Sequence, residues 1–111
     1  MPLTMKKQGD RLSVLLRGDI DHHSALPLRN AIDEAISRTR PKTLRLDFSE
    51  VTFMDSSGIG LVLGRYRNIS TYGGALELSG LSLRYLKIMR LSGIEKIAKI
   101  RGGDESAKAT K

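Results

Sequence analysis

The chain has 111 residues, no cysteine and a net charge of +7, and 40% of its residues are apolar. A chain of this length is expected to form one domain, which can bury a core without disulfides or structural metals. The absence of cysteine excludes thiolate chemistry, and the charged N-terminal residues do not form a secretory signal, so a cytoplasmic protein is expected. No apolar run approaches the ~20 residues of a membrane span, so no membrane association is expected.

The positive charge invites comparison with nucleic-acid-binding proteins. The basic residues are dispersed, however, over the start of the chain, a central turn and the C-terminal region. The three tyrosines and two phenylalanines form no aromatic-basic strand motif of the kind found in RNA-recognition sheets. We therefore interpret the charge as solvated surface and expect no direct nucleic-acid partner.

The first elements are a hairpin and a helix. Residues 3–5 and 11–17 are separated by a Gly-Asp turn, which predicts two antiparallel strands. Residues 18–23 are interpreted as a loop, followed by an amphipathic helix over 24–38 with Ser24 as its N-cap. Pro27 is placed in the first turn of this helix, where its missing N–H is tolerated.

The rest of the chain alternates strands and helices. Further strands are predicted over 43–48, 75–78 and 97–100, and further helices begin near residues 56 and 82, the last with Gly93 as its C-terminal cap. This order predicts an α/β fold, a single domain with a mostly parallel mixed sheet and helices packed on it. We expect the domain to span residues 1–101, followed by a polar, flexible tail over 102–111.

The segment 53–60, Phe-Met-Asp-Ser-Ser-Gly-Ile-Gly, lies where a strand region meets a helix. Its hydroxyl and carboxylate groups have an ordinary interpretation as helix caps. One cap suffices, so the two serines leave open a second interpretation in which one of them accepts a phosphoryl group. Such a dianion would have to be desolvated beside Asp55, and beside Asp19 and Asp21 if their loop is adjacent. A penalty of ~3 kcal/mol would weaken binding about a hundredfold.

Residues 51–66, Val-Thr-Phe-Met-Asp-Ser-Ser-Gly-Ile-Gly-Leu-Val-Leu-Gly-Arg-Tyr, resemble the signature of the STAS-domain anti-sigma factor antagonists, especially the sporulation type. Residues 17–23 and 91–97 resemble two further motifs of that family. The three segments occur in the family's order, and the resemblance extends over about residues 3–100. It implies a STAS-type domain.

The resemblance implies a partner-switching cycle and no enzymatic activity. The unphosphorylated form would bind an anti-sigma factor that is also a serine/threonine kinase, and so free a sigma factor. Phosphorylation of Ser56 would end this binding, and a metal-dependent serine phosphatase would restore it. The free protein is expected to be a monomer without cofactor or metal.

Several residues are expected to form the partner-binding surface around Ser56. The candidates are Asp21, Ser24, Asp55, Ser57, Gly60 and Arg65. Ser57 is then the better candidate for the cap of the second helix. Arg65 is included against the alternative that it is an ordinary solvated helix residue.

Catalytic and cofactor-binding alternatives have less support. Ser56 is not in a Gly-x-Ser-x-Gly elbow, and the adjacent His22 and His23 cannot supply a dispersed catalytic triad. The side chains of Asp21, His22 and His23 diverge, which argues against a local metal site. The glycine spacing over 58–64 is one residue too long for a dinucleotide loop. The open alternative is a STAS scaffold or ligand-binding module that does not act on a sigma factor.

Overall fold

The structure, a computed structural model, describes residues 2–101. The predicted flexible tail over 102–111 lies outside the described residues. The elements in chain order are β1 (Leu3–Gln8), β2 (Arg11–Ile20), α1 (His22–Thr39), β3 (Thr43–Met54), α2 (Ser56–Ser70), β4 (Ala75–Ser79), α3 (Leu83–Leu91), a 3₁₀ turn (Ile94–Lys96) and β5 (Lys99–Ile100).

The five strands form one sheet in the order β1-β2-β3-β4-β5. β1 and β2 pair antiparallel as the predicted hairpin, and the remaining neighbours pair parallel. Because each parallel connection steps in the same direction and crosses over right-handed, the three helices lie on one face of the sheet. The predicted class, a mostly parallel mixed sheet covered by helices, is confirmed.

The core lies between that face of the sheet and the helices. Alternate residues of the central strands point into it, as the period of two requires. The fully or almost fully buried strand residues include Leu12, Val14, Leu16, Leu44, Leu46, Phe48, Leu76 and Leu78. Their helical counterparts are Leu28, Ile32, Ala35, Ile36, Leu61, Val62, Ile69, Leu86 and Met89. Over the described range, no helix is long and apolar enough to cross a membrane.

The start of α1 differs from the prediction. β2 continues to Ile20 and the helix begins at His22, so residues 18–23 do not form a loop. The N-cap is Asp21, and Ser24 lies three residues later in a capping box. Asp21 is the N-cap in place of Ser24 because its carboxylate accepts hydrogen bonds from two free N–H groups of the first turn. The single hydroxyl of Ser24 does not accept both. Pro27 consequently lies inside the helix and not in its first turn.

β3 is longer than predicted because it pairs with an equally long β2. The alternation of apolar and polar residues over 43–48 ends where the strand becomes polar. The pairing of β3 with β2 nevertheless continues to Met54, which lies beside Ile20. The register shifts between Leu15 and Arg17 and again between Gly18 and Asp19, and at each shift β3 has one residue more than β2. Hydrogen bonding to a neighbouring strand therefore extends β3 beyond what its own sequence indicates.

The C-terminal elements follow the prediction with smaller differences. α3 begins after Ser82, whose hydroxyl caps it by accepting the Tyr85 N–H at 3.3 Å. Gly93 follows the end of the helix with a φ of 79°, the left-handed conformation expected of a C-terminal glycine. β5 is confined to two residues, Lys99 and Ile100, and not the four predicted.

Gly80 and Gly93 provide a matched test of the packing between β3 and the β4–α3 turn. Both have positive φ, but a Cβ on Gly80 would lie 2.6 Å from the Ser49 backbone nitrogen, whereas one on Gly93 meets nothing within 4 Å. We expect Gly93→Ala to lower the free energy of unfolding by about 1–2 kcal/mol through backbone strain alone. Gly80→Ala should lose a further 1–3 kcal/mol, roughly, through overpacking. Urea denaturation of both variants measures the difference; equal losses would show that the turn relaxes.

Candidate functional site

The turn before α1 and the turn before α2 lie side by side at the carboxyl ends of β2 and β3. The Asp55 N–H donates a hydrogen bond to the Ile20 carbonyl at 3.2 Å, which joins the two turns directly. The Thr52 hydroxyl donates to Asp19 Oδ1 at 2.8 Å. Asp19 at the end of β2 and Asp21 in the turn that follows therefore lie close to Asp55.

The N-cap of α2 is Asp55 and not Ser57. Asp55 Oδ1 accepts the Ser57 N–H at 2.8 Å, while Ser57 is already the second residue inside the helix. The prediction that Ser57 caps the helix is wrong, because a side chain within the first turn no longer points back along the free N–H groups. Asp55 thus supplies the cap, and neither serine is needed for it.

Ser56 is the first residue of α2 and is exposed. Within residues 2–101 its hydroxyl makes no hydrogen bond, whereas Ser57 is half-buried beside it. The free N–H groups and the positive end of the helix dipole make this position tolerant of a phosphate. Of the two serines, Ser56 is the one accessible to a modifying enzyme.

Asp21 and Ser24 are bonded to each other and shape the first turn of α1. Ser24 Oγ accepts the Asp21 N–H at 2.9 Å and donates to the Asp19 carbonyl at 2.8 Å. The hydrogen bond from the Ser24 N–H holds the pKa of Asp21 below its ordinary value of 3.8. Since the folded-state pKa is lowered, this stabilisation is present above pH 3.8 and is lost as the pH falls through the lowered pKa.

An open groove of about 620 Å³ runs between the first turns of α1 and α2. It is lined by His22, His23, Ala25, Leu26, Arg29, Ser57, Gly60 and Leu61. Gly60 is exposed, and a Cβ built on it would meet nothing within 4 Å, so its small size keeps the groove open without serving the core. The groove brings together Ser57 and Gly60, which were predicted to bind the partner, and residues of α1 that the sequence analysis had not assigned to the site.

Arg65 is buried, with only 4% of its surface exposed. Its Nε lies 2.8 Å from Asp33 Oδ1 on α1, and Asn68 donates to the same oxygen at 2.7 Å. Burial lowers the pKa of Arg65, and the neighbouring Asp33 opposes that shift. Neither the partner contact predicted for Arg65 nor the alternative of a solvated side chain fits this position, because the guanidinium is enclosed where α2 packs on α1. It supports this packing and presents no surface to a partner.

Exposed apolar side chains surround the same end of the sheet. Leu26, Phe53 and Leu83 are 51%, 47% and 50% exposed, and they lie where α1, α2 and α3 begin. Large apolar side chains at a surface that also carries polar groups are typical of protein interfaces. The sequence analysis did not assign these residues to the site. Leu26 could have been found, because it is a large apolar residue that lies outside the apolar stripe of α1.

The described residues hold no group of three or more histidine, aspartate or glutamate side chains placed to bind a metal ion. The adjacent His22 and His23 rings meet edge to face, with centroids 5.4 Å apart. They form part of the groove wall.

The assignment of the α2 cap can be tested by substitution. We expect Asp55→Ala to lower the free energy of unfolding by about 1 kcal/mol, because the first-turn N–H groups lose their acceptor. Asp55→Asn should retain most of that energy, since an amide oxygen also caps. Ser57→Ala is the control and should change stability by less than about 0.5 kcal/mol. A larger loss in Ser57→Ala than in Asp55→Ala, measured by urea denaturation, would return the cap to Ser57.

Comparison with known proteins identifies the family to which this chain belongs. Residues 3–101 match the family model described as Mlab, STAS domain. The chain is 33% identical over 107 residues to the anti-sigma F factor antagonist of Paenibacillus polymyxa. The aligned residues cover 96% of this chain and 92% of that protein.

Two solved structures of SpoIIAA are also similar to this chain. The unphosphorylated anti-sigma factor antagonist SpoIIAA is 28% identical, with a TM-score of 0.72 over 88% of this chain and 86% of that one. The phosphorylated form of SpoIIAA, a Bacillus cell fate determinant, is also 28% identical, with a TM-score of 0.72 over 98% of this chain and 99% of that one. The chain therefore belongs to the STAS-domain family, and within it is similar to the sporulation-type anti-sigma factor antagonists, as its sequence motifs predicted.

Proposed function

We propose that this protein is an anti-sigma factor antagonist switched by phosphorylation of Ser56. The unphosphorylated form binds an anti-sigma factor that is a serine/threonine kinase, and so frees a sigma factor. The kinase then transfers a phosphoryl group from ATP to the Ser56 hydroxyl, with loss of the hydroxyl proton, and the complex dissociates. A metal-dependent serine phosphatase hydrolyses the phosphate and restores the binding form.

The position of Ser56 carries this proposal. It is exposed at the start of α2, while the cap of that helix is supplied by Asp55. Its hydroxyl is thus available for chemistry, and its modification removes no interaction of the fold. Close by, Leu26, Phe53 and the groove of Gly60 offer the apolar and concave surface that a protein partner requires.

The local charge explains how a phosphate would weaken binding without refolding the domain. Asp19 at the end of β2 and the two adjacent turn residues Asp21 and Asp55 are all acidic, so a dianion on Ser56 enters an already acidic surface. A partner that covers this surface must desolvate the phosphate next to those carboxylates.

The switch is tested with a candidate anti-sigma factor kinase from the same organism. After incubation with kinase and ATP, we expect intact mass spectrometry to show one added phosphate, about 80 Da, that maps to Ser56. Ser56→Ala should stay folded, take no phosphate and keep binding the kinase in the presence of ATP. The modified wild type should bind about a hundredfold more weakly than the unmodified protein, by calorimetry.

Ser57→Ala is the matched control for these experiments and should be phosphorylated and released like the wild type. Phosphate on Ser57 in the wild type, or a folded Ser56→Ala variant unable to bind the kinase, would contradict the assignment. If the kinase neither binds nor modifies the wild type, the alternative role as a STAS scaffold or ligand-binding module gains support.

Gly60 tests whether the groove contacts the partner. Its Cβ position is open, so Gly60→Ala should fold with stability equal to or above the wild type, by up to about 1 kcal/mol, because alanine favours a helix. Gly60→Leu should also fold, but its side chain would fill the groove and weaken kinase binding at least tenfold, roughly 1.4 kcal/mol. Thermal unfolding and calorimetric affinity, measured on the same samples, separate the two effects; full affinity in Gly60→Leu would exclude the groove from the interface.

A further inference from the structure

The outward side of α3 carries leucines and cations together. Leu83 and Leu91 are exposed, Leu91 at 89%, and Lys87 lies between them. Residues four apart share one side of a helix, so these three form a single stripe, with the exposed Arg84 beside it. None of the nine residues of α3 is acidic. We call Leu83, Arg84, Lys87 and Leu91 the α3 face.

The positive charge of the chain is concentrated around this helix. Residues 83–101 contain six basic residues and one acidic residue, a net +5 of the chain's +7. The basic residues are Arg84, Lys87, Arg90, Lys96, Lys99 and Arg101, and the acidic one is Glu95. The basic residues occur throughout the sequence, but most of the surplus positive charge lies in this one segment, which contains α3. It fits a partner surface of negative charge.

The first turn of α3 lies at the same edge of the sheet as Ser56. The Met54 N–H donates a hydrogen bond to the Tyr85 hydroxyl oxygen at 3.0 Å, which ties that turn to the strand end two residues before Ser56. Leu83 begins the helix at this edge, and Leu91 lies eight residues further along, about 12 Å at the α-helical rise. A partner that covers Ser56 is therefore close enough to reach the start of the α3 face.

We propose that the α3 face docks an acidic segment, with apolar side chains at its centre, of the same anti-sigma factor that covers Ser56. This inference rests on the proposed function. A stable interface buries about 800 Å² on each partner and involves 20–30 residues, which is more than the two turns at Ser56 provide. The two exposed leucines supply apolar anchors, and the cations around them orient the partner.

The α3 face and Ser56 then have separate roles. A phosphate on Ser56 changes the charge of the strand-end turns, whereas the leucines and cations of α3 stay as they were. The α3 face supplies affinity in both states of the switch, and Ser56 supplies the difference between them. If the two sites contact separate parts of the partner, their effects on affinity add, so substitutions on α3 should leave the ratio between the affinities of the two states intact.

The test measures the affinity of the full chain for the anti-sigma kinase by calorimetry. Lys87→Glu and Leu91→Ser are each expected to weaken binding about tenfold. Arg67→Glu is the matched control, because Arg67 is an exposed basic residue near the C-terminal end of α2. The affinity of this variant for the kinase should stay within about twofold of the wild type. Each variant is also made together with Ser56→Asp. The Ser56→Asp change should weaken kinase binding by the same factor in the wild type and in every α3 variant. Lys87→Glu should also make the affinity less sensitive to salt.

Wild-type affinity in both Lys87→Glu and Leu91→Ser, with the kinase still binding the wild type, would overturn the inference and leave the proposed function standing. Equal weakening in Arg67→Glu would also overturn it, since the effect would then follow net charge alone. Binding of the wild type to phosphatidylglycerol vesicles, lost in Lys87→Glu while kinase affinity is retained, would assign the face to a membrane instead. If the wild type does not bind or accept phosphate from the kinase, the proposed function itself fails.

Discussion

Parallel pairing of β2 with β3 as far as Ile20 and Met54 is the constraint on which the rest of the site depends. Because the two strands end together, the turns that follow them meet, and the Asp55 N–H bonds to the Ile20 carbonyl. α1 and α2 then begin next to each other and enclose the groove. The register of this pairing is held by the buried leucines of both strands, since a slip of one residue would turn them away from the core.

Aspartates, and not serines, are the N-caps of α1 and α2. Asp21 caps α1 and Asp55 caps α2, each through a carboxylate oxygen that accepts first-turn N–H groups. The division leaves the Ser56 hydroxyl outside the hydrogen-bond network that holds the fold, within residues 2–101. A residue in that position can change its charge while the helix keeps its cap, which is the physical requirement for a switch that acts at a surface.

The ion pair between buried Arg65 and the partly exposed Asp33 joins α2 to α1. Asn68 donates to the same carboxylate, so Asp33 connects two residues one turn apart on α2. Removing Asp33 would leave the buried guanidinium of Arg65 without its opposite charge, which is costly. The pair is therefore one of the contacts that connect the two helices on either side of the groove.

The sequence by itself determined the fold class and singled out the segment 53–60, because hydrophobic periodicity and capping residues act over a few neighbouring positions. Only the tertiary structure decided that Asp55 caps α2, that Ser56 is the more exposed of the two serines, that Arg65 is buried and that β3 extends to Met54. The last two depend on partners distant in sequence: β2 for the strand end, and Asp33 for the arginine. Local pattern carries no information on which distant group will satisfy a hydrogen bond or a charge, and that is decided when the sheet and helices pack.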